Sequence, residues 1–127
     1  MKPTTREWVY KAEADYSEAV LLRRSRKKHS REIVCFHLQQ CVEKYLKARL
    51  EEAGIAIPKT HDLEHLLNLT LTVEPLWAAR RPIMAALSDC AVLIRYPGNN
   101  VTPAEAKSLL AGTSSARTMI RGRLGLR

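Results

Sequence analysis

No apolar run in the sequence is long enough to cross a bilayer, which excludes a helical membrane protein. The first residues also lack the apolar core of a secretory signal, so the expected location is the cytoplasm. Only three cysteines occur, Cys35, Cys41 and Cys90, and none forms a C-x-x-C pair. Each falls in an apolar helical pattern and reads as a small buried hydrophobe in a reducing compartment, not as a zinc ligand. There is no alternating β pattern, no repeat, no Gly-rich phosphate loop and no nucleophile elbow. Aromatic residues make up 6% of the chain, and none lies in the basic run from Arg23 to Arg31. That absence counts against base stacking there.

What is abundant is positive charge. The formal net charge is +8 at pH 7 and the pI about 9.8, a balance that points to a polyanionic partner. At 127 residues the chain should form one domain, residues 1–127, able to bury a single core without staples.

Helical signals cover the chain. The central one runs from Val34 to Leu50, free of Gly and Pro, with Gly54 as its C-cap. Val34, Leu38, Cys41, Tyr45 and Ala48 make one apolar stripe, and Cys35, Val42, Leu46 and Leu50 widen it. A first helix is predicted over Thr5–Lys27, opened by a Thr4/Glu7 capping box, and Ser30 suits the N-cap of the second. Thr60 should cap a short third helix ending near Thr70. Leu76, Trp77 and Ala78 read as a short turn or helix. A fourth helix should start at Pro82 and stop at Arg95-Tyr96-Pro97-Gly98. Thr102-Pro103-Ala104-Glu105 is the strongest helix start, for a fifth helix to about Arg121, with residues 122–127 frayed. The expected fold class is all-α, an antiparallel up-and-down four-helix bundle with one additional short helix.

Several polar residues interrupt these apolar faces. Asp15 lies within the Trp8, Ala12, Ala19, Leu22 stripe, where a carboxylate is costly unless paired. Lys44 and Arg95 are its candidate partners. On the central helix His37, Gln40, Lys44 and Lys47 form a polar line flanked by Gln39 and Glu43. Arg23, Arg24, Arg26, Lys27, Lys28 and Arg31 form the densest positive patch, suited to phosphate contact. His61 and His65 have metal-ligand spacing, but no H-E-x-x-H arrangement or third ligand accompanies them, so no metal is expected.

Taken in order, Trp8…Ala12…Asp15, Gln40…Glu43-Lys44…Lys47, Pro58-Lys59-Thr60-His61-Asp62-Leu63 and Arg95-Tyr96-Pro97-Gly98 resemble the HEPN family over nearly the whole chain. The resemblance implies a helical bundle, a homodimer, a bound nucleotide or RNA, and a minimal nucleotidyltransferase partner in a toxin–antitoxin-like or defence pair. It implies no other cofactor. It makes Arg95, Tyr96, Lys44, Lys47, Gln40, His37 and His61 the candidate nucleotide- or anion-binding residues. Ribonuclease branches of the family carry an Arg followed shortly by a His, and Arg95 matches the Arg. The positions where the His would fall hold Asn100, Val101 and Thr102, none of which accepts a proton near neutral pH. The resemblance therefore favours a binding and assembly module. A metal-independent ribonuclease, with Arg95 as its only matching catalytic residue, is the alternative.

Overall fold

The computed structural model describes residues 1–127 and contains helices and no strand. Helix α1 spans Pro3–Ser25, α2 Ser30–Ala53, α3 Leu63–Thr70, α4 Arg81–Leu93 and α5 Pro103–Arg123, with a 3-10 turn at Pro75–Arg80 before α4. No helix is long and apolar enough to cross a membrane.

Helix α2 is the one against which the others pack: it touches α1, α3, α4 and α5. Its Val34, Leu38, Cys41, Tyr45 and Ala48 are all fully buried, as the stripe requires. It ends at Gly54, whose φ of 72° is the left-handed cap that glycine adopts without a Cβ clash.

Helices α1 and α2 form an antiparallel hairpin pinned at both ends. At one end Thr4 Oγ1 donates to Glu51 Oε1 (2.6 Å), and the Lys2 amide donates to Glu52 Oε2 (3.0 Å). At the other, Ser30 Oγ donates to the carbonyls of Lys27 (2.7 Å) and Leu22 (3.3 Å). Two expected caps are thereby displaced. Helix α1 starts at Pro3, whose missing N–H costs nothing in the first turn, so Thr4 is inside the helix and turns to α2. Ser30 likewise lies inside α2 and turns its hydroxyl back toward α1. A third shift places Asp62, not Thr60, at the cap of α3, where it accepts from the amides of Glu64 and His65. Thr102 and Glu105 form the expected reciprocal capping box on α5.

The end of the chain also departs from expectation. Helix α5 continues through Gly122 to Arg123, and Leu124 beyond it is buried, because its side chain still reaches the core. Trp77 is buried within the 3-10 turn. Cys35 and Cys90 are joined, tying α2 to α4 across a Cα–Cα distance of 6.6 Å, where reduced thiols were expected. Both residues face the contact between those helices. Cys41 alone remains a free, buried thiol, and burial pushes its pKa up.

Helix α5 is locked to α1 by one carboxylate. Glu13 accepts from Arg117 Nε (2.6 Å) and Nη2 (2.5 Å), and from the hydroxyl of Tyr45. Arg121 Nη1 donates to that hydroxyl (3.1 Å), and the Arg117 guanidinium stacks on the Tyr16 ring at 4.4 Å. Partial burial raises the Glu13 pKa, but the bonds from Arg117 and Tyr45 and the charges of Arg117 and Arg121 outweigh it, leaving the carboxyl below its ordinary value. A depressed folded-state pKa gives stability that is present above the unfolded value and lost as pH falls through the folded one. Glu13→Gln should therefore lower the melting temperature at pH 7, by an amount worth about 2 kcal/mol for charged hydrogen bonds. The gap to the wild type should close as pH drops below about 4. Thermal melts of both proteins from pH 7 to pH 3 check this; a gap that persists unchanged at pH 3 contradicts it.

Candidate functional site

The polar line on α2 is built by two buried carboxylates. Asp15, on α1, is 9% exposed and faces α2. Lys44 Nζ donates to its Oδ2 at 2.5 Å, and His37 Nδ1 lies 2.8 Å from its Oδ1. Of the two partners proposed from the sequence, Lys44 meets Asp15; Arg95 lies elsewhere. The Phe36 ring stands edge-on to the His37 ring at 5.5 Å, limiting the space in which the imidazole can move.

The second carboxylate, Glu43, is 3% exposed. It accepts from Lys47 Nζ (3.1 Å), from Gln39 Nε2 (3.3 Å) and from His61 Nδ1 (2.9 Å). Gln39 Nε2 also donates to the His61 carbonyl (3.0 Å), and Gln40 Nε2 donates to Gln39 Oε1 (2.8 Å). These bonds fasten the loop before α3 to α2. They also correct the reading of the polar line. Lys44 and Lys47 are spent on Asp15 and Glu43, and Lys47 is further covered by the Trp8 ring at 5.5 Å. Each ammonium gives one bond to a carboxylate inside the fold, and Lys47 is the more deeply buried of the two. The sequence showed Glu43 and Gln39 only as flanking residues. The signal available was a Glu and a Lys one helical turn apart, each also one turn from an apolar position.

Gln40, His61 and Arg95 come together. They line a cavity of about 690 Å³ between α2 and the end of α4, with Phe36, Gln39, Asp62 and Val92 among its other walls. The Arg95 side chain is exposed and makes no hydrogen bond or ion pair in the structure, so its guanidinium remains free for an oxyanion. The His61 side chain is 83% exposed while its Nδ1 is held by Glu43. A carboxylate only accepts, so Nδ1 carries the hydrogen, and in the neutral ring that leaves the lone pair on Nε2. The cavity thus offers one guanidinium, amide groups and one imidazole, beside the Asp62 carboxylate that is engaged in capping α3. Tyr96 is exposed and lies outside the wall.

The basic run surrounds the junction of α1 and α2, where Arg24, Lys27 and Lys28 are exposed. Arg23, Arg26 and Arg31 line a smaller cavity of about 310 Å³ with Pro103 and Ala106 of α5. A third cavity of about 550 Å³ beneath the loop before α5 carries Asp89 and Glu105 and no cation. That charge does not suit an anion. No group of three His, Cys, Asp or Glu residues is placed to hold a metal ion.

The family model for the HEPN domain matches residues 5–122, nearly the whole chain. The chain belongs to the HEPN family. That family is often involved in RNA binding or ribonuclease activity. No curated protein and no solved structure matches the chain significantly.

In this HEPN chain, Glu43→Ala should be severely destabilising because it leaves Lys47 buried without a counter-charge. Breaking one side of a buried pair costs about 3–5 kcal/mol. The double change Glu43→Ala with Lys47→Met should recover part of that loss. Urea unfolding of the four proteins of the cycle measures it; strictly additive losses would show that the pair is not coupled.

Proposed function

We propose that this HEPN chain is a nucleotide- or RNA-binding and assembly module that receives an anionic group in the Arg95 cavity. The observation that supports the reading most directly is Arg95 itself, a guanidinium without a carboxylate partner beside His61 and Gln40. A net charge of +8 supports a polyanion as the partner. The four long helices would act as an up-and-down four-helix bundle, one domain that carries this cavity on its side. The exposed Phe36, Val92, Leu93 and Tyr96 supply apolar surface for a symmetric homodimer. Pairing with a minimal nucleotidyltransferase in a toxin–antitoxin-like or defence pair, in the cytoplasm, rests on the family resemblance.

The placement of His61 favours a second reading, a metal-independent ribonuclease. His61, across the cavity from Arg95, stands in for the missing His, with its Nδ1 oriented by Glu43. In such a reaction Nε2 takes the ribose 2′-hydroxyl proton as that oxygen attacks phosphorus. The bond to the 5′-oxygen breaks, that oxygen takes up a proton, and a cyclic phosphate and a 5′-hydroxyl result. Arg95 would balance the charge on the phosphate.

Binding of a labelled single-stranded RNA separates these readings from a plain scaffold. Arg95→Ala should weaken binding about tenfold, the loss expected of one charge-assisted contact. Its melting temperature should not change, since the side chain has no partner to lose. Wild-type affinity in Arg95→Ala would overturn the assignment. Incubating the same RNA with chelator present tests the second reading: cleavage that disappears in both Arg95→Ala and His61→Gln supports it, and intact RNA rejects it.

A further inference from the structure

The cavity at the junction of α1, α2 and α5 has a different chemistry from the Arg95 cavity. Its polar wall is three arginines and nothing acidic: Arg23, Arg26 and Arg31, with Pro103 and Ala106 closing the other side. Arg23 and Arg31 are half-buried, so their charges are partly shielded from solvent. Arg31 Nε donates to the Val101 carbonyl at 2.7 Å, which fixes the guanidinium and leaves its two terminal nitrogens to donate elsewhere. The side chains of Arg23 and Arg26 have no partner in the structure. Like charges converging on one small space repel unless an anion joins them.

Arg26 adds an independent observation. It caps α1 in the left-handed conformation, with φ 56°. It is the only non-glycine residue in the chain with positive φ. A glycine would adopt this cap without the Cβ clash that an arginine meets. The backbone thus accepts a local cost at the residue whose side chain completes the basic wall.

We propose that this cavity binds a phosphomonoester dianion, the terminal phosphate of a nucleotide or of an RNA end. A monoester presents up to two charges and three acceptor oxygens, whereas an internal phosphodiester presents one charge and two free oxygens. Three guanidinium groups, each able to donate a parallel pair of N–H bonds, match the first better than the second. The site goes beyond the Arg95 reading and does not depend on it.

The experiment compares two labelled RNA oligonucleotides of one sequence, one ending in a 5′-phosphate and one in a 5′-hydroxyl, at fixed salt. The wild type should bind the phosphorylated form about tenfold more tightly. Lowering the pH below about 6, where the monoester loses its second charge, should shrink that preference. Arg26→Gly should abolish the preference yet melt no lower than the wild type, because it removes a cation and relieves the strained cap. Arg23→Gln should also abolish the preference. Arg95→Ala should retain it, even where overall affinity falls; a preference lost in Arg95→Ala would put the phosphate in the Arg95 cavity and overturn the proposal. Adenosine 5′-monophosphate that competes as well as the phosphorylated oligonucleotide identifies the phosphate as that of a mononucleotide; competition by the oligonucleotide alone identifies an RNA end. Equal affinity of the wild type for the two oligonucleotides, or a preference that survives in Arg26→Gly, overturns the proposal.

Discussion

A carboxylate buried between α1 and α2 sets the terms for the rest of this fold. Asp15 lies on the apolar side of α1, and the helix cannot pack against α2 unless a cation comes with it. Lys44 supplies that cation, with His37 on the second oxygen. One helical turn along α2, Glu43 repeats the arrangement with Lys47 and His61. The Asp15 cluster holds the hairpin together with the apolar stripe through Leu38 and Tyr45, and the Glu43 cluster fastens the loop before α3 to α2. Burying such pairs adds little net stability, but leaving one member alone is expensive. Their physical effect is to fix the rotation of α1 and α2 about their axes and to anchor the loop that carries His61.

That constraint sorts the cations by what they can do. Lys44, Lys47, Arg117, Arg121 and Arg123 each lie beside a carboxylate inside the protein. Arg95 on one side, and Arg23, Arg26 and Arg31 at the junction of α1, α2 and α5, line cavities without a carboxylate partner. The end of α1 and the starts of α2 and α5 meet there, as the bond from Arg31 to the Val101 carbonyl shows.

Local features of the sequence foretold local features of the structure. The Thr102-Pro103-Glu105 start, the glycine cap at Gly54 and the stripe along α2 all act over one or two helical turns, and each is formed. Asp15 stood out because its position in an apolar stripe demanded a partner, and helical periodicity put Lys44 on a compatible face. Contacts across long separations carried no such signal. The Glu13–Arg117 bond joins residues 104 apart, and the Cys35–Cys90 link spans 55. The capping differences at Thr4, Ser30 and Thr60 share a cause: a hydroxyl next to a helix start can cap it or bond a neighbour, and tertiary packing decides. The polar line on α2 was visible as a line, but which of its members faced inward depended on where α1 and the His61 loop came to rest.

The coupling between Asp15 and Lys44 is the most direct measure of whether buried charge pairs organise this fold. Unfolding free energies of the wild type, Asp15→Asn, Lys44→Met and the double variant give that coupling without reference to any ligand. The account predicts that each single change destabilises the protein and that the double change costs less than their sum by at least about 1 kcal/mol. Additive losses would contradict it and would return Lys44 to the set of cations available for binding.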